Sequence, residues 1–376
     1  MNSLNPSPGI AADPVGCARA IADRLADLGA RYDAAPVFPL ESMRCLAAAG
    51  LHRHFAPAAS GGTVFADTRE RYRILMDVLR IAGRADLSVG RLLEGHVNAL
   101  LLFEWYGSAE QNRQLGRVLD AGGFYGVWAT EPAPGVSIEL ADRTQMSLKG
   151  AKSFASGAGG LAHAIVTARQ PEGGRRLVVV EGDEADRADL SGWRVRGMRA
   201  SNSGLYDLTG LRIKDTDLLG HPGDYDREPR FTTGAWRFAA VQLGGIEALL
   251  GETRQAMSDT ARADPLQRAK FADCVVAART AYLWVRECAM RAASDDLDGP
   301  AFARLTRGVV ERAGLDVMEL AARIVGTRSA MDGQRIDKIS RDLSLYLRQA
   351  GPDYARDQAA LTWLDHDAWG EQDVLW

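Results

Sequence analysis

Gly122-Gly-Phe-Tyr-Gly-Val-Trp128-Ala-Thr130-Glu-Pro132 marks a change of texture in this chain of 376 residues. From here the apolar residues fall into short runs separated by Gly, Pro and Asp: Phe124–Ala129, Gln145–Leu148, Lys152–Ala155, Ala164–Ala168, Leu177–Glu181, Trp193–Arg196 and Leu205–Ile213. Short runs with turn signals between them predict strands of a small β-barrel or sandwich. Upstream the period is helical. Val15, Ala18, Ile21, Ala22, Leu25 and Leu28 share one face, Leu40–Leu51 follows Pro39, and Arg69–Gly83 and Leu87–Tyr106 continue the pattern. Ser108-Ala-Glu-Gln111 has capping-box spacing at the head of a helix reaching about Asp120. Downstream the period returns near Phe231, with Ala239, Leu243, Ile246 and Leu250 on one face, and persists through Ala269–Ala293, Phe302–Ile324, Ile336–Leu347 and Tyr354–Leu364. Asp295–Pro300 is the clearest break, and helices of this length suit an antiparallel bundle. The expected fold class is α+β: an N-terminal all-α unit (1–121), a middle β unit (122–228) and a C-terminal helical bundle with a tail (229–376).

Composition agrees with a folded chain of several units. Hydrophobic residues make up 46% and charged residues 25%, which excludes disordered, collagen-like and disulfide-scaffold classes. A single core rarely exceeds about 250–300 residues, so length favours two or three sub-domains. Lys and Arg number 45 against 49 Asp and Glu, giving a net charge of −4 spread along the chain, without the footprint of a nucleic-acid binder. Cys17, Cys45, Cys274 and Cys288 are too far apart for a Cys-x-x-Cys metal or redox site and are expected to be reduced core thiols; no metal is expected. Met1–Pro14 lacks the pattern of a signal peptide and no uncharged run approaches the ~20 residues of a membrane span, so a cytoplasmic protein without membrane contact is expected.

Four motifs carry a resemblance. Trp128-Ala-Thr-Glu-Pro132 opens the β unit, and Gly150-Ala-Lys152-Ser-Phe154-Ala-Ser156-Gly157 follows about 20 residues later. Gly197-Met-Arg-Ala-Ser201 runs on to Leu218-Leu219-Gly220, and Arg341-Asp342 lies in the bundle. With Tyr106-Gly-x-x-Glu-Gln111, their order resembles the acyl-CoA dehydrogenase superfamily over almost the whole chain. That resemblance implies a flavin lying where Thr130 and Ser156 offer hydroxyls and Trp128 and Phe154 offer aromatic faces. An isoalloxazine, a flat aromatic slab with a polar edge, needs both.

The chain also departs from the family. The glutamate that usually acts as base, nine residues after the motif arginine, is replaced by Ala350, and the alternative position before Arg237 is Trp236. Alanine and tryptophan cannot take a proton from carbon. Glu94, Glu104, Glu131, Glu247 and Asp353 are the carboxylates to inspect. The family's dinucleotide-binding Arg-x-x-Phe-Gly and Gln-x-x-Gly-Gly segments read here Arg262-Ala-Asp-Pro-Leu-Gln-Arg268 and Arg323-Ile-Val-Gly326-Thr327. Arg262, Arg268 and Arg323 can pair with phosphate and Gly326-Thr327 can approach it, so FAD is expected, with FMN the alternative.

The superfamily includes flavin-dependent monooxygenases, which also lack the glutamate and whose lysine strand reads closer to Lys-x-Phe-x-Ser-Gly. In these, a histidine from the N-terminal unit steadies the oxygen adduct; His96 resembles that position, while a satisfied core histidine fits the same residue. Tyr346, Arg348 and Gln349 would line the same side and orient a substrate. The expected function is therefore a flavin-dependent oxidoreductase that performs α,β-oxidation of an acyl thioester or similar small molecule. A two-component monooxygenase using reduced flavin and O2 is the alternative, and a non-catalytic flavin scaffold a third. The partners implied are a small-molecule substrate, an electron-transfer flavoprotein or flavin reductase, and further copies of the chain as homodimer or homotetramer. The tail, with Trp363, Trp369 and Trp376, is expected to dock on a neighbouring unit or subunit.

Overall fold

The computed structural model describes residues 13–140, 145–171, 173–349 and 351–365. Five helices come first: α1 (Pro14–Ala34), α2 (Leu40–Ala48), α3 (Thr68–Ala85), α4 (Leu87–Tyr106) and α5 (Ala109–Asp120). Asp67 and Asp86 cap α3 and α4, and the expected capping box is present at α5.

Ten short strands follow: β1 (Tyr125–Trp128), β2 (Ser137–Leu140), β3 (Met146–Lys149), β4 (Ala151–Ala155), β5 (His163–Arg169), β6 (Arg175–Glu181), β7 (Ala188–Asp189), β8 (Gly204–Asp207), β9 (Arg212–Ile213) and β10 (Leu218–Leu219). Seven form a mixed sheet in the order β10-β6-β5-β2-β3-β9, with β1 parallel to β5, and β4-β8-β7 form a second sheet. The expected strand at Trp193–Arg196 is absent. That backbone is held by side chains instead of a ladder: Arg341 donates to the Arg196 carbonyl at 2.6 Å, and Trp193 Nε1 to that of Arg199 at 3.2 Å. The Leu205–Ile213 run splits into β8 and β9 around a turn at Gly210.

The remaining helices are α6 (Arg230–Thr233), α7 (Ala235–Ala256), α8 (Asp259–Ala263), α9 (Pro265–Ala293), α10 (Gly299–Val325), α11 (Arg335–Tyr346) and α12 (Pro352–Asp365). The long helices of both ends share one core, in which Leu79 and Leu93 meet Leu243 and Ile246, and a smaller core lies between the sheets around Trp128 and Tyr206. Helices α3 and α7 cross closely because two glycines face the opposing backbone. A Cβ on Gly83 would lie 2.2 Å from the Val241 carbonyl oxygen, and one on Gly244 2.1 Å from that of Arg80. All four cysteines lie in helices and are free thiols. No described helix is long and apolar enough to cross a membrane. Trp363 lies in α12, half-buried, while Trp369 and Trp376 fall outside the described residues, as does Ala350.

Candidate active site

Arg341-Asp342 ties the three groups of elements together. Arg341 grips Asp33 at the end of α1 through two bonds of 2.6 and 3.1 Å and pairs with Asp337 at 2.7 Å. Asp342 accepts the Met198 N–H at 2.5 Å and pairs with Lys338 at 2.7 Å, and Lys338 also reaches Asp86, the α4 cap, at 2.7 Å. Burial alone would lower Lys338, but Asp342 and Asp86 outweigh it and raise its pKa. Burial, aided by the charge of Asp86, raises Asp342 against the pull of Lys338. A Cβ on Gly197 would lie 2.1 Å from the Arg341 carbonyl oxygen, so the glycine of the third motif admits α11 against the loop. This latch sets where the C-terminal end of α11, with Tyr346, can point.

That end closes a cavity of about 990 Å³ between α4, the rims of β1 and β4, the 193–203 loop, and the starts of α7, α10 and α12. Ligand pockets run to about 1,000 Å³, so the space suits a large cofactor or a cofactor with substrate. Trp128, Thr130, Phe154, Ser156, Tyr346, Arg348 and Gln349 all line it, contributed by segments far apart in sequence.

Their postures differ. Phe154 is 65% exposed, its ring left open on the cavity wall. The cause is local: β4 pairs with β8 at Lys152↔Tyr206 and Ala155↔Gly204, one residue out of step, and this bulge holds Phe154 at φ 51° while Lys152 and Ala155 turn inward. Lys152, the motif lysine, is fully buried against Glu131 and Thr167, so it supports the turn beneath. Thr130 is exposed to the cavity, with its carbonyl accepting the Ser153 N–H at 3.0 Å. Ser156, Ser203 and Ser201 form a hydroxyl chain with links of 2.9 Å. Trp128 is only 2% exposed. Its ring packs 4.8 Å from Tyr206 in the sheet core and its Nε1 donates to the Ser156 carbonyl at 3.0 Å, so it stiffens the cradle from behind.

On the helical side, Tyr346 is 3% exposed and its hydroxyl has no hydrogen-bond partner among the described residues. Burial, with the nearby Glu94 charge, pushes its pKa well above the usual phenol range, so it remains a donor at neutral pH. Arg91 pairs with Glu94 at 2.6 Å, Asn98 donates to Glu94 at 2.5 Å, and Arg237 donates its Nε–H to Asn98 Oδ1. Of these polar residues at i, i+3 and i+7 of the largely apolar α4, Glu94 was a carboxylate to inspect while Arg91 and Asn98 were not among the expected site residues; that spacing is the signal that marks them. Arg304 and Arg307, also on the wall, carry a fainter signal as two cations one helical turn apart.

His96 does not line the cavity. It is fully buried; its Nδ1 accepts the Tyr125 N–H at 3.0 Å and its Nε2–H donates to the His52 carbonyl at 2.6 Å, which fixes a neutral tautomer. Burial lowers its pKa to about 3. Of the carboxylates considered as bases, only Glu94 reaches the wall; Glu104 is paired with Arg71, Glu131 with Lys152, Glu247 with Arg80 and Asp353 with Arg356. Trp236 is wholly buried in the core. The phosphate candidates lie away from this chain's cavity. Arg262 donates to the Met257 carbonyl at 3.0 Å and to that of Arg254, Arg268 to those of Arg262 and Ala263, and Arg323 pairs with Glu319 at 2.7 Å. Gly326, at φ 72°, and Thr327 follow the C-terminus of α10, with open space around Gly326.

Helices, a two-sheet β layer and a helical bundle, closing on one cavity at their junction, define the acyl-CoA dehydrogenase fold. Residues 227–354, which include Arg341-Asp342, match the sequence model of the acyl-CoA dehydrogenase C-terminal domain. Dibenzothiophene monooxygenase of Rhodococcus erythropolis is 25% identical over 271 residues, covering 66% of this chain; the match spans 63% of that relative's length. Among solved structures, the complex of TdsC from Paenibacillus sp. A11-2 with FMN and indole superposes with a TM-score of 0.84 at 18% identity, covering 94% of this chain and 97% of that one. The glutaryl-coenzyme A dehydrogenase complex with glutaryl-CoA gives 0.82 at 19% identity, covering 96% and 97%.

Proposed function

We propose that this chain is a flavin-dependent oxidoreductase of small molecules, and that oxygen insertion using reduced flavin and O2 is the activity its cavity fits best. The residues present fit a flavin: an exposed aromatic ring at Phe154, an open hydroxyl at Thr130, the serine relay behind Ser156, and room for the tricycle. When bound, the cofactor supplies two electrons, so that one oxygen atom of O2 passes to the substrate and the other leaves as water. The chain's own part is to hold and exclude. Phe154 and Thr130 position the ring, Trp128 braces Ser156, and the unpartnered Tyr346 hydroxyl donates a hydrogen bond to oxygen or substrate within the cavity.

One observation carries the preference for oxygen insertion. The cavity-lining carboxylates among the described residues, Glu94 and Glu228, are both engaged, Glu94 by Arg91 and Asn98 and Glu228 by the Thr232 backbone and hydroxyl. Desaturation of an acyl thioester needs a carboxylate free to take a proton from carbon. The identity of the curated relatives, dibenzothiophene monooxygenases, supports the same choice. α,β-Oxidation of an acyl thioester is the second reading, favoured by the placement of Glu94 on the wall and requiring its release from Arg91.

FMN, bound in the TdsC complex, is the cofactor we favour, with FAD the alternative. Arg323, Gly326 and Thr327 serve its phosphate end from a second copy of the chain, a role that the open backbone at Gly326 supports. Exposed Leu266, Val276 and Leu283 along α9 support a homodimer or homotetramer. Reduced flavin comes from a reductase; for the second reading, electrons leave to an electron-transfer flavoprotein. The deciding experiment supplies reduced FMN and a panel of aromatic and thioester substrates. Oxygen uptake coupled to product formation supports the first reading. Anaerobic bleaching of bound flavin by an acyl-CoA, without oxygen insertion, would replace it with the second.

A further inference from the structure

The cavity wall carries seven arginines against the two glutamates already named. Arg91 is paired with Glu94, Arg227 with Asp224 at 2.8 Å and Arg230 with Asp295 at 3.2 Å. Arg307 donates to the Gln349 carbonyl and lies over the Phe238 ring. Arg237, Arg304 and Arg348 meet no carboxylate among the described residues. Arg348 spends only its Nε–H, on the Ser344 carbonyl, and Arg237 only its Nε–H, on Asn98.

Arg237 is the most telling of the three. It is 8% exposed, its guanidinium lies 5.9 Å from the Trp236 ring centroid and reaches Glu94 only through Asn98, and burial lowers its pKa against the nearby Glu94 charge. A buried unpaired charge is costly, and a structure that keeps one on a cavity wall is matched to an anion arriving from outside. Arg237 lies in α7, Arg304 in α10 and Arg348 just past α11, on the wall shared with Thr130 and Phe154, and Leu102, Phe231 and Leu345 line the same cavity.

We propose that Arg237, Arg304 and Arg348 form an anion subsite that takes the carboxylate, sulfonate or similar acid group of a small organic substrate, whose apolar body rests on Leu102, Phe231 and Leu345. The inference names the substrate class of the flavin site and rests on that reading. A flavin phosphate offers the same chemistry, so the test separates the two sources. Protein loaded with FMN is titrated with phenylacetate and with phenylacetamide, its neutral counterpart, while the flavin absorbance is followed. The acid binds about tenfold more tightly than the amide, the worth of one charge-assisted hydrogen bond. That margin disappears in the Arg304→Gln, Arg348→Gln double variant, while thermal melting and the affinities for FMN and riboflavin stay unchanged. Equal binding of acid and amide, binding of neither, or a margin intact in the double variant would overturn the proposal. Loss of FMN but not riboflavin affinity in that variant would assign the arginines to the flavin phosphate and also overturn it. If the wild type binds neither FMN nor FAD, the flavin reading fails on its own; the acid and amide titration, followed by tryptophan fluorescence, still decides the subsite.

Discussion

Two polar clusters meet α11 about a turn and a half apart, and they are built in opposite ways. Around Arg341, Asp342 and Lys338 the charges meet: Asp33, Asp86, Asp337 and the Met198 N–H satisfy them within 2.5–3.1 Å. Around Tyr346, Arg237 and Arg304, donors are left open on a large cavity. The first arrangement fixes a geometry and the second awaits a ligand, because a buried polar group left unmade is stable only when something else completes it. The Arg341-Asp342 motif is thus a structural latch, and the open donors begin about one and a half turns further along the same helix, at Tyr346.

Breaking the closed end should cost most. Asp342→Ala leaves the Met198 N–H without its partner and the buried Lys338 with Asp86 alone, and denaturant unfolding should show a loss of about 3–5 kcal/mol. Helix crossing comes next: Gly244→Ala forces α7 off the Arg80 backbone and should cost about 1–3 kcal/mol in the same assay. His96 supplies a pH test of the closed interior. Its folded pKa of about 3 lies below the ordinary 6.5, so between these values the unfolded chain binds the proton and the folded chain does not. Stability should therefore fall as pH drops below 6.5, by up to about 1.4 kcal/mol per unit, and His96→Gln should flatten that slope. The open end should behave in reverse. Tyr346→Phe removes a hydroxyl that bonds to nothing, so stability should change by less than about 0.5 kcal/mol, while turnover with reduced flavin falls about tenfold or more. A large stability loss in that variant would place Tyr346 with the latch.

The helices were legible because their apolar spacing spans many turns, and the motif residues Thr130, Phe154 and Ser156 did prove to share one wall. Other features needed three dimensions. Strand β2, Ser-Ile-Glu-Leu, is too short for its alternation to rise above a loop. In the irregular Trp193–Arg196 segment the Arg196 carbonyl is held by Arg341 of α11, which no local pattern reveals. Phe154 faces outward only because of a bulge whose register depends on β8. His96 was equally compatible with a site and with a core, and what decides its place is the pair of backbone groups, from residues 52 and 125, that claim its nitrogens. The arginines of the cavity come from α4, α6, α7, α10 and the segments just before α6 and just after α11, so their convergence appears only once the bundle is packed.

The central claim is that Thr130, Phe154 and Ser156 cradle a flavin. Titrating the purified protein with FMN and following quenching of its fluorescence tests this most directly. A flavin cradle predicts saturable binding, weakened about tenfold by Phe154→Ala with no loss of fold. Failure of the folded wild type to bind either FMN or FAD would contradict it.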